Sequence, residues 1–428
     1  MKKILKRILL VLLVLVLLAV CGFAAFYFSR IRTIQSLKKV TDYEDYNLYR
    51  MDVQYSYDLD RLISYGISSN QDMLDAILKE SIPLLPIHMT APNYGCSAFS
   101  IADSDQEILM GRNYDFKIDT SSLLVHCTPK NGYESVAFAA LSNISANQPD
   151  ASLSKKIAVL TAPFICLDGM NEKGVSIAVL TLDSEPTVQQ TGKQTIFTTL
   201  AIRLVLDRAA TTQEAVDLLN SYDMFATSGR DYHFYITDAS GDGRVVEYDC
   251  DDPARPLVAT PIRAITNFYG LYADRVLPNQ KNGIYGHGRE RYDNIEAVLN
   301  GTDTYTVDTA WDALKASAQN PNPNDVTSNT QWSLIYNDTQ RTAQFVLRRD
   351  WNTIVFYDLN LNAAATFFSA RRCCQTTKAL NRLITPSASM QMPIKVISTC
   401  ADWNGFSRMT TPKAIISTAS SSKMPHFS

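Results

Sequence analysis

Tyr94-Gly95-Cys96-Ser97-Ala98-Phe99 and, a loop later, Gly111-Arg112-Asn113-Tyr114-Asp115-Phe116 stand out from the rest of this 428-residue chain as a paired motif. Between them, Ser97 to Ala102 and Glu107 to Arg112 flank Asp103-Ser104-Asp105-Gln106. Short apolar-bearing runs separated by Asp and Ser read as two antiparallel strands joined by a longer loop. The second strand of a hairpin returns beside the first, so Arg112 and Asp115 come back toward Cys96.

A thiol directly after a glycine at a strand start has a particular chemistry open to it. Gly95 has no side chain to shield its carbonyl and tolerates strained backbone, so the Cys96 thiol can attack that carbonyl and form a thioester. Hydrolysis would expose Cys96 as a new N-terminus, whose α-amine, with a reference pKa of about 7.7 to 8.0, can take the thiol proton in later turnovers. One residue then supplies nucleophile and base. No catalytic histidine is needed, and His88, His126, His233, His287 and His426 form no partner set. Arg112 near the thiol favours the thiolate, and the Asp115 carboxylate can orient the amine. Taken singly, each has a plainer reading: a buried small hydrophobe for Cys96, a surface ion pair for Arg112 and Asp115.

Outward from the motif the same texture continues. Ile157 to Leu167 and Val175 to Leu182 bracket Asp168-Gly169-Met170-Asn171-Glu172-Lys173-Gly174 as a further pair of strands, with Asn171 to Gly174 a tight turn supporting the fold. Helices are expected over Thr198 to Ala209 and over Thr211 to Asn220, where Thr211 and Glu214 have capping-box spacing. Arg289 to Leu299 and Val307 to Ala318 also read as helices. Strands resume at Tyr232 to Thr237 and Arg244 to Tyr248 and close at Trp332 to Tyr336, Ala343 to Leu347 and Thr353 to Tyr357. Strands, then helices, then strands again point to an α+β layered domain with antiparallel sheets, not an alternating parallel α/β fold.

Lys+Arg 40 against Asp+Glu 43 and a net charge of -3 leave no electrostatic footprint for nucleic acid. Eight cysteines without a C-x-x-C pair or a histidine-rich partner spacing indicate neither a disulfide framework nor a metal site. Ile8 to Phe28 carries no charge, and a helix of that length spans roughly 30 Å of hydrocarbon. Basic residues before it, Lys2, Lys3, Lys6 and Arg7, resemble an export signal's leading region. The expected topology is a single-pass membrane anchor with the bulk outside the cytoplasm; a cleaved signal and a secreted protein are the alternative. Residues 30 to 95 read as a linker and pro-segment with one helical pattern near Gln71 to Leu85, and 363 to 428 as a tail without regular pattern.

The combination of Cys96 with Gly111-Arg112-Asn113-Tyr114-Asp115 resembles the choloylglycine hydrolase and penicillin acyltransferase group of linear amide hydrolases, which use an N-terminal cysteine. The resemblance runs through Asn171-Glu172-Lys173-Gly174-Val175 and Ile265-Thr266-Asn267 to Glu290-Arg291-Tyr292. It implies the four-layer αββα N-terminal-nucleophile hydrolase fold over residues 96–362, with two antiparallel sheets between helices. It also implies Cys96 as nucleophile, Arg112 and Asp115 as its contacts, Asn267 in the oxyanion hole and Arg291 as a further active-site arginine. Thr181 stands where bile-salt hydrolases carry a second asparagine and penicillin V acylases a tyrosine, which places it among substrate-binding positions. The implied reaction is hydrolysis of a small-molecule non-peptide amide after autoproteolysis at Gly95-Cys96, without metal or organic cofactor. An acyltransferase to an amine, an inactive anchored binding protein on the same fold and, more weakly, a Cys-His peptidase using His233 or His287 are the competing readings.

Overall fold

The computed structural model describes residues 2–83, 95–280, 288–322, 324, 328–368 and 394–395. A nine-stranded sheet is built from β1 (Lys38–Lys39), β2 (Leu48–Val53), β5 (Ser122–Cys127), β6 (Ser135–Ala140), β7 (Asp168–Asn171), β8 (Val175–Leu182), β11 (Asp231–Asp238), β12 (Arg244–Tyr248) and β13 (Leu257–Pro261), in that spatial order. Only the β2–β5 pair in it is parallel. An eight-stranded sheet has the order β14 (Ala264–Ile265), β3 (Gly95–Ala102), β4 (Ile108–Asp115), β15 (Thr330–Asn337), β16 (Thr342–Leu347), β17 (Thr353–Asp358), β18 (Ala363–Phe368) and β19 (Ile394–Lys395). A short parallel pair, β9 (Thr195–Phe197) and β10 (Asp223–Phe225), lies apart from both.

The two sheets pack face to face, as their twofold side-chain alternation shows. Phe138 of β6 stacks on Phe345 of β16 with ring centroids 4.8 Å apart, and the Tyr235 hydroxyl of β11 meets Ser100 Oγ of β3 at 2.7 Å. On the outer face of the larger sheet, α5 (Thr198–Arg208) packs against β7 and β8, with α6 (Thr212–Asn220) beside it against β11. On the outer face of the other, α8 (Gly288–Asn300) and α9 (Val307–Ser317) close a second core over Phe99, Leu109, Ile335 and Val346. The architecture is α+β with four layers, αββα. Strands covered on both faces read as continuous apolar runs, which is why Val175–Leu182 hardly alternates.

Local chemistry sets the turns. Asp103 Oδ1 accepts from Asp105 N and Glu107 N, and Gln106 takes the left-handed conformation that completes the β3–β4 hairpin loop. Asn171 Oδ1 accepts from Lys173 N and Val175 N; Gly174, at φ +77, lies so near the Asp338 carbonyl that a Cβ would meet it at 2.2 Å. Thr211 caps α6 by accepting from Glu214 N, while the Glu214 carboxylate reaches Ala210 N, one residue before the cap.

Three expectations change. Ile157 to Leu167 is no strand: it forms the end of α4 (Leu153–Ala158) and a 3₁₀ segment, Val159–Phe164, containing Pro163, since a fully buried apolar run carries no period to separate helix from strand. The stretch from 38 to 83 is no free linker either. It supplies β1, β2, α2 (Leu59–Ser64) and α3 (Asn70–Ser81), and Leu48, Met51, Leu62 and Ile77 are fully buried in the main core. The smaller sheet runs through β18, beyond the boundary expected at 362; most of the expected tail lies outside the described residues.

The first helix, α1 (Lys2–Ser36), is long and apolar enough to cross a membrane. Its apolar side chains from Ile8 to Phe28 are largely exposed, whereas Arg30 and Thr33 near its end are buried against the domain.

Candidate active site

Cys96 lies at the start of β3, fully buried, and the hairpin sets Tyr114 opposite it, Arg112 opposite Ala98 and Asp115 opposite Gly95. Alternation then divides these neighbours. Cys96, Ala98, Arg112 and Tyr114 face the interior between the sheets, while Asp115 faces the α8 layer. Phe99 lies across from Gly111, where a Cβ would come within 2.3 Å of its ring, so the smallest residue precedes Arg112. The Arg112 Nη2 group is 3.5 Å from Cys96 Sγ and donates to the carbonyls of Leu167 and Val179 at 3.3 and 3.0 Å.

Asn267, just after β14, joins the sheets at this point. Its Oδ1 accepts from Cys96 N at 3.0 Å and from Arg291 Nη2, and its Nδ2 donates to the Thr181 carbonyl at 2.7 Å. An amide nitrogen carries two hydrogens, so Thr181 engages one of them. Arg291, in the first turn of α8, is buried; Nη1 donates to Cys96 O at 2.8 Å and pairs with Asp115 Oδ2 at 3.0 Å. Thr330 Oγ1 donates to the other Asp115 oxygen at 2.6 Å. The structure thus brings Cys96, Arg112, Asp115, Asn267 and Arg291 together from the eight-stranded sheet, the chain just after its β14 and one helix. Thr181 joins them through its carbonyl. Its hydroxyl, on the strand face shared with Tyr232, points to the α5 and α6 side and has no hydrogen-bond partner.

Residues 96–252 match the family model of the linear amide C-N hydrolases, choloylglycine hydrolase family. The segment is that of an amide hydrolase. Similar solved structures include a conjugated bile acid hydrolase from Clostridium perfringens, 14% identical with a TM-score of 0.48 over 64% of this chain and 97% of that one. A penicillin V acylase from Agrobacterium tumefaciens is 15% identical with a TM-score of 0.44 over 64% of this chain and 87% of that one.

Sequence reading of this amide hydrolase missed the anion behind Arg112. Asp168 of β7 pairs with Arg112 Nε at 3.0 Å, both side chains fully buried, and accepts from Tyr336 OH at 2.7 Å and Trp332 Nε1 at 3.3 Å. The available signal was a lone carboxylate closing the apolar run Phe164-Ile165-Cys166-Leu167, since a buried charge needs a buried partner. Burial pushes the Asp168 carboxyl up, and Arg112, Tyr336 and Trp332 pull it back. Burial opposes the Arg112 charge, but Cys96 and Asp168 raise its pKa overall. The Cys96 thiol is itself pushed up to about 11, by burial first, with Arg112 and Arg291 opposing. It is therefore a neutral thiol at ordinary pH. Arg112 Nη1 is buried without a hydrogen-bond partner, while Nη2 is the nitrogen 3.5 Å from the sulfur.

Proposed function

We propose that this protein hydrolyses a small-molecule linear amide with Cys96 as an N-terminal nucleophile, freed by its own cleavage of the Gly95–Cys96 bond, on a domain held outside the cytoplasm by α1. The observation that carries this reading is the convergence on the backbone and side chain of one residue, Cys96. Cys96 N and Cys96 O are held by Asn267 and Arg291, the side chain has Arg112 at 3.5 Å, and all four residues are buried.

In processing, Sγ attacks the Gly95 carbonyl carbon and the bond to Cys96 N breaks. This leaves a thioester and a free α-amine; water then releases the Gly95 carboxylate and the thiol. In turnover the amine takes the thiol proton, and Sγ attacks the substrate amide. The second Asn267 Nδ2 hydrogen and Arg112 Nη1 are the donors available to the developing oxyanion. The departing amine takes the proton back, and water activated by the same α-amine hydrolyses the acyl-thioester. Arg291 and Asp115 orient the new terminus. Transfer of the acyl group to an amine in place of water uses the same steps, and competition between water and an added amine nucleophile separates the two outcomes.

Intact-mass and N-terminal analysis of the parent beside Cys96→Ala tests the reading. A new N-terminus at Cys96 in the parent alone is expected. An uncut parent that still hydrolyses amides without needing Cys96 would sink it, and an uncut, inactive parent would favour a binding role.

A further inference from the structure

We infer that residues 30–83 stay bound to the catalytic chain after the Gly95–Cys96 bond is cut, so that the cut enzyme remains attached to α1 without a covalent link. The inference rests on the processing reading above. It follows from how the N-terminal segment is built into the domain. β2 pairs with β5 over six residues in parallel, from Leu48 opposite Ser122 to Val53 opposite Cys127. Removing β2 would leave β5 as an open, apolar sheet edge, the kind of edge that folded proteins cover.

The covering is also a core. Leu48, Met51 and Val53 of β2, Leu62 of α2 and Ile77 of α3 are buried in the same cluster as Leu123, Phe138 and Leu206 of the catalytic part. Polar links surround it and reach both sheets' surroundings. Tyr55 OH donates to Leu160 O at 2.6 Å, Tyr43 OH to Asp350 Oδ2 at 2.6 Å, and Arg50 Nη2 to Asn362 O at 3.0 Å. Within the segment, Arg30 at the end of α1 donates to Glu80 O and Ser81 O at 2.9 and 2.6 Å, and Thr33 Oγ1 accepts from Gln54 N at 2.8 Å. The apolar helix is thereby fastened to α3 and β2, and these to the catalytic chain. Among the described residues the cysteines are free, so no disulfide among them adds a covalent link to this attachment.

The test uses full-length Cys96→Ala protein in which part of 84–94 is replaced by a site-specific protease sequence, so that the cut does not depend on self-processing. After proteolysis of isolated membranes, the fragment beginning near Cys96 should sediment with them in high-salt buffer and be freed by denaturing urea. In detergent the two fragments should co-elute on size exclusion. Separate elution would overturn the inference whether or not the parent cleaves itself. Co-elution in detergent with a soluble fragment in the membrane assay would overturn the attachment to the bilayer alone. The parent's own N-terminal analysis reports separately on processing.

Discussion

At Cys96 the geometry makes two side chains testable in different ways. Asn267→Ala removes the remaining amide donor, and kcat should fall by about 10²- to 10³-fold, measured on protein whose N-terminus at Cys96 has been verified by mass. An unchanged kcat would remove Asn267 from oxyanion binding. Asp168→Asn leaves the buried Arg112 charge without its anion and should lower unfolding stability by about 3 kcal/mol in urea titration, with a fall in kcat that exceeds any change in KM. Parent-like stability and kcat would show the pair to be idle. Cys96, Arg112 and Asp115 were legible because one hairpin with a readable loop brings them together. Asn267 and Arg291 became legible only through the family resemblance, since their meeting point depends on contacts across 171 and 195 residues. Asp168 was hidden in plain sequence: nothing local marks a carboxylate as the partner of an arginine on the opposing sheet.

Among the elements, those with their own punctuation were read nearly to the residue. Val175–Leu182 and Arg244–Tyr248 are examples, each preceded by a glycine-containing turn. The strands Ser122–Cys127 and Ser135–Ala140 were missed, being buried on both faces and short of period. The strand Leu48–Val53 was missed because its pairing partner lies on the far side of Cys96. That pairing carries an acid-sensitive contact. Burial pushes the Asp52 carboxyl up, but His126 and Arg50 outweigh it and hold it at about 2. A carboxyl held below its unfolded value of about 3.9 stabilises the folded form fully above that pH, and the contribution is lost as pH falls toward about 2. The Asp52 contribution to association of the N-terminal segment should therefore be fully present above about pH 4 and fall by about 1–2 kcal/mol between there and pH 2. Asp52→Asn should flatten that limb in pH-dependent unfolding; an unaltered limb would show that Asp52 does not set it.

For the whole molecule, the layered class was legible from the succession of strands and helices, whereas the membership of the layers was not. Sheet order is set by long-range pairing that no local pattern encodes. The face-to-face packing of the sheets makes a quantitative claim: Phe138→Ala removes one half of the stacked pair with Phe345 and should cost about 3–5 kcal/mol in equilibrium unfolding. A loss below about 1 kcal/mol would mean that the inter-sheet core collapses around the gap.

The end of the first helix has a mechanical meaning. Phe28 is 62% exposed and Arg30 only 4%, so the chain passes from apolar surface to anchored protein within two residues, without leaving the helix. Such a join is a post, not a leash. With α1 in a bilayer, the catalytic domain has no slack with which to sweep the surrounding volume. A body of its size would then work a layer roughly 50 Å deep beside the lipid surface. Amides that partition to that layer meet the enzyme in two dimensions, while those dispersed in bulk must first diffuse to it.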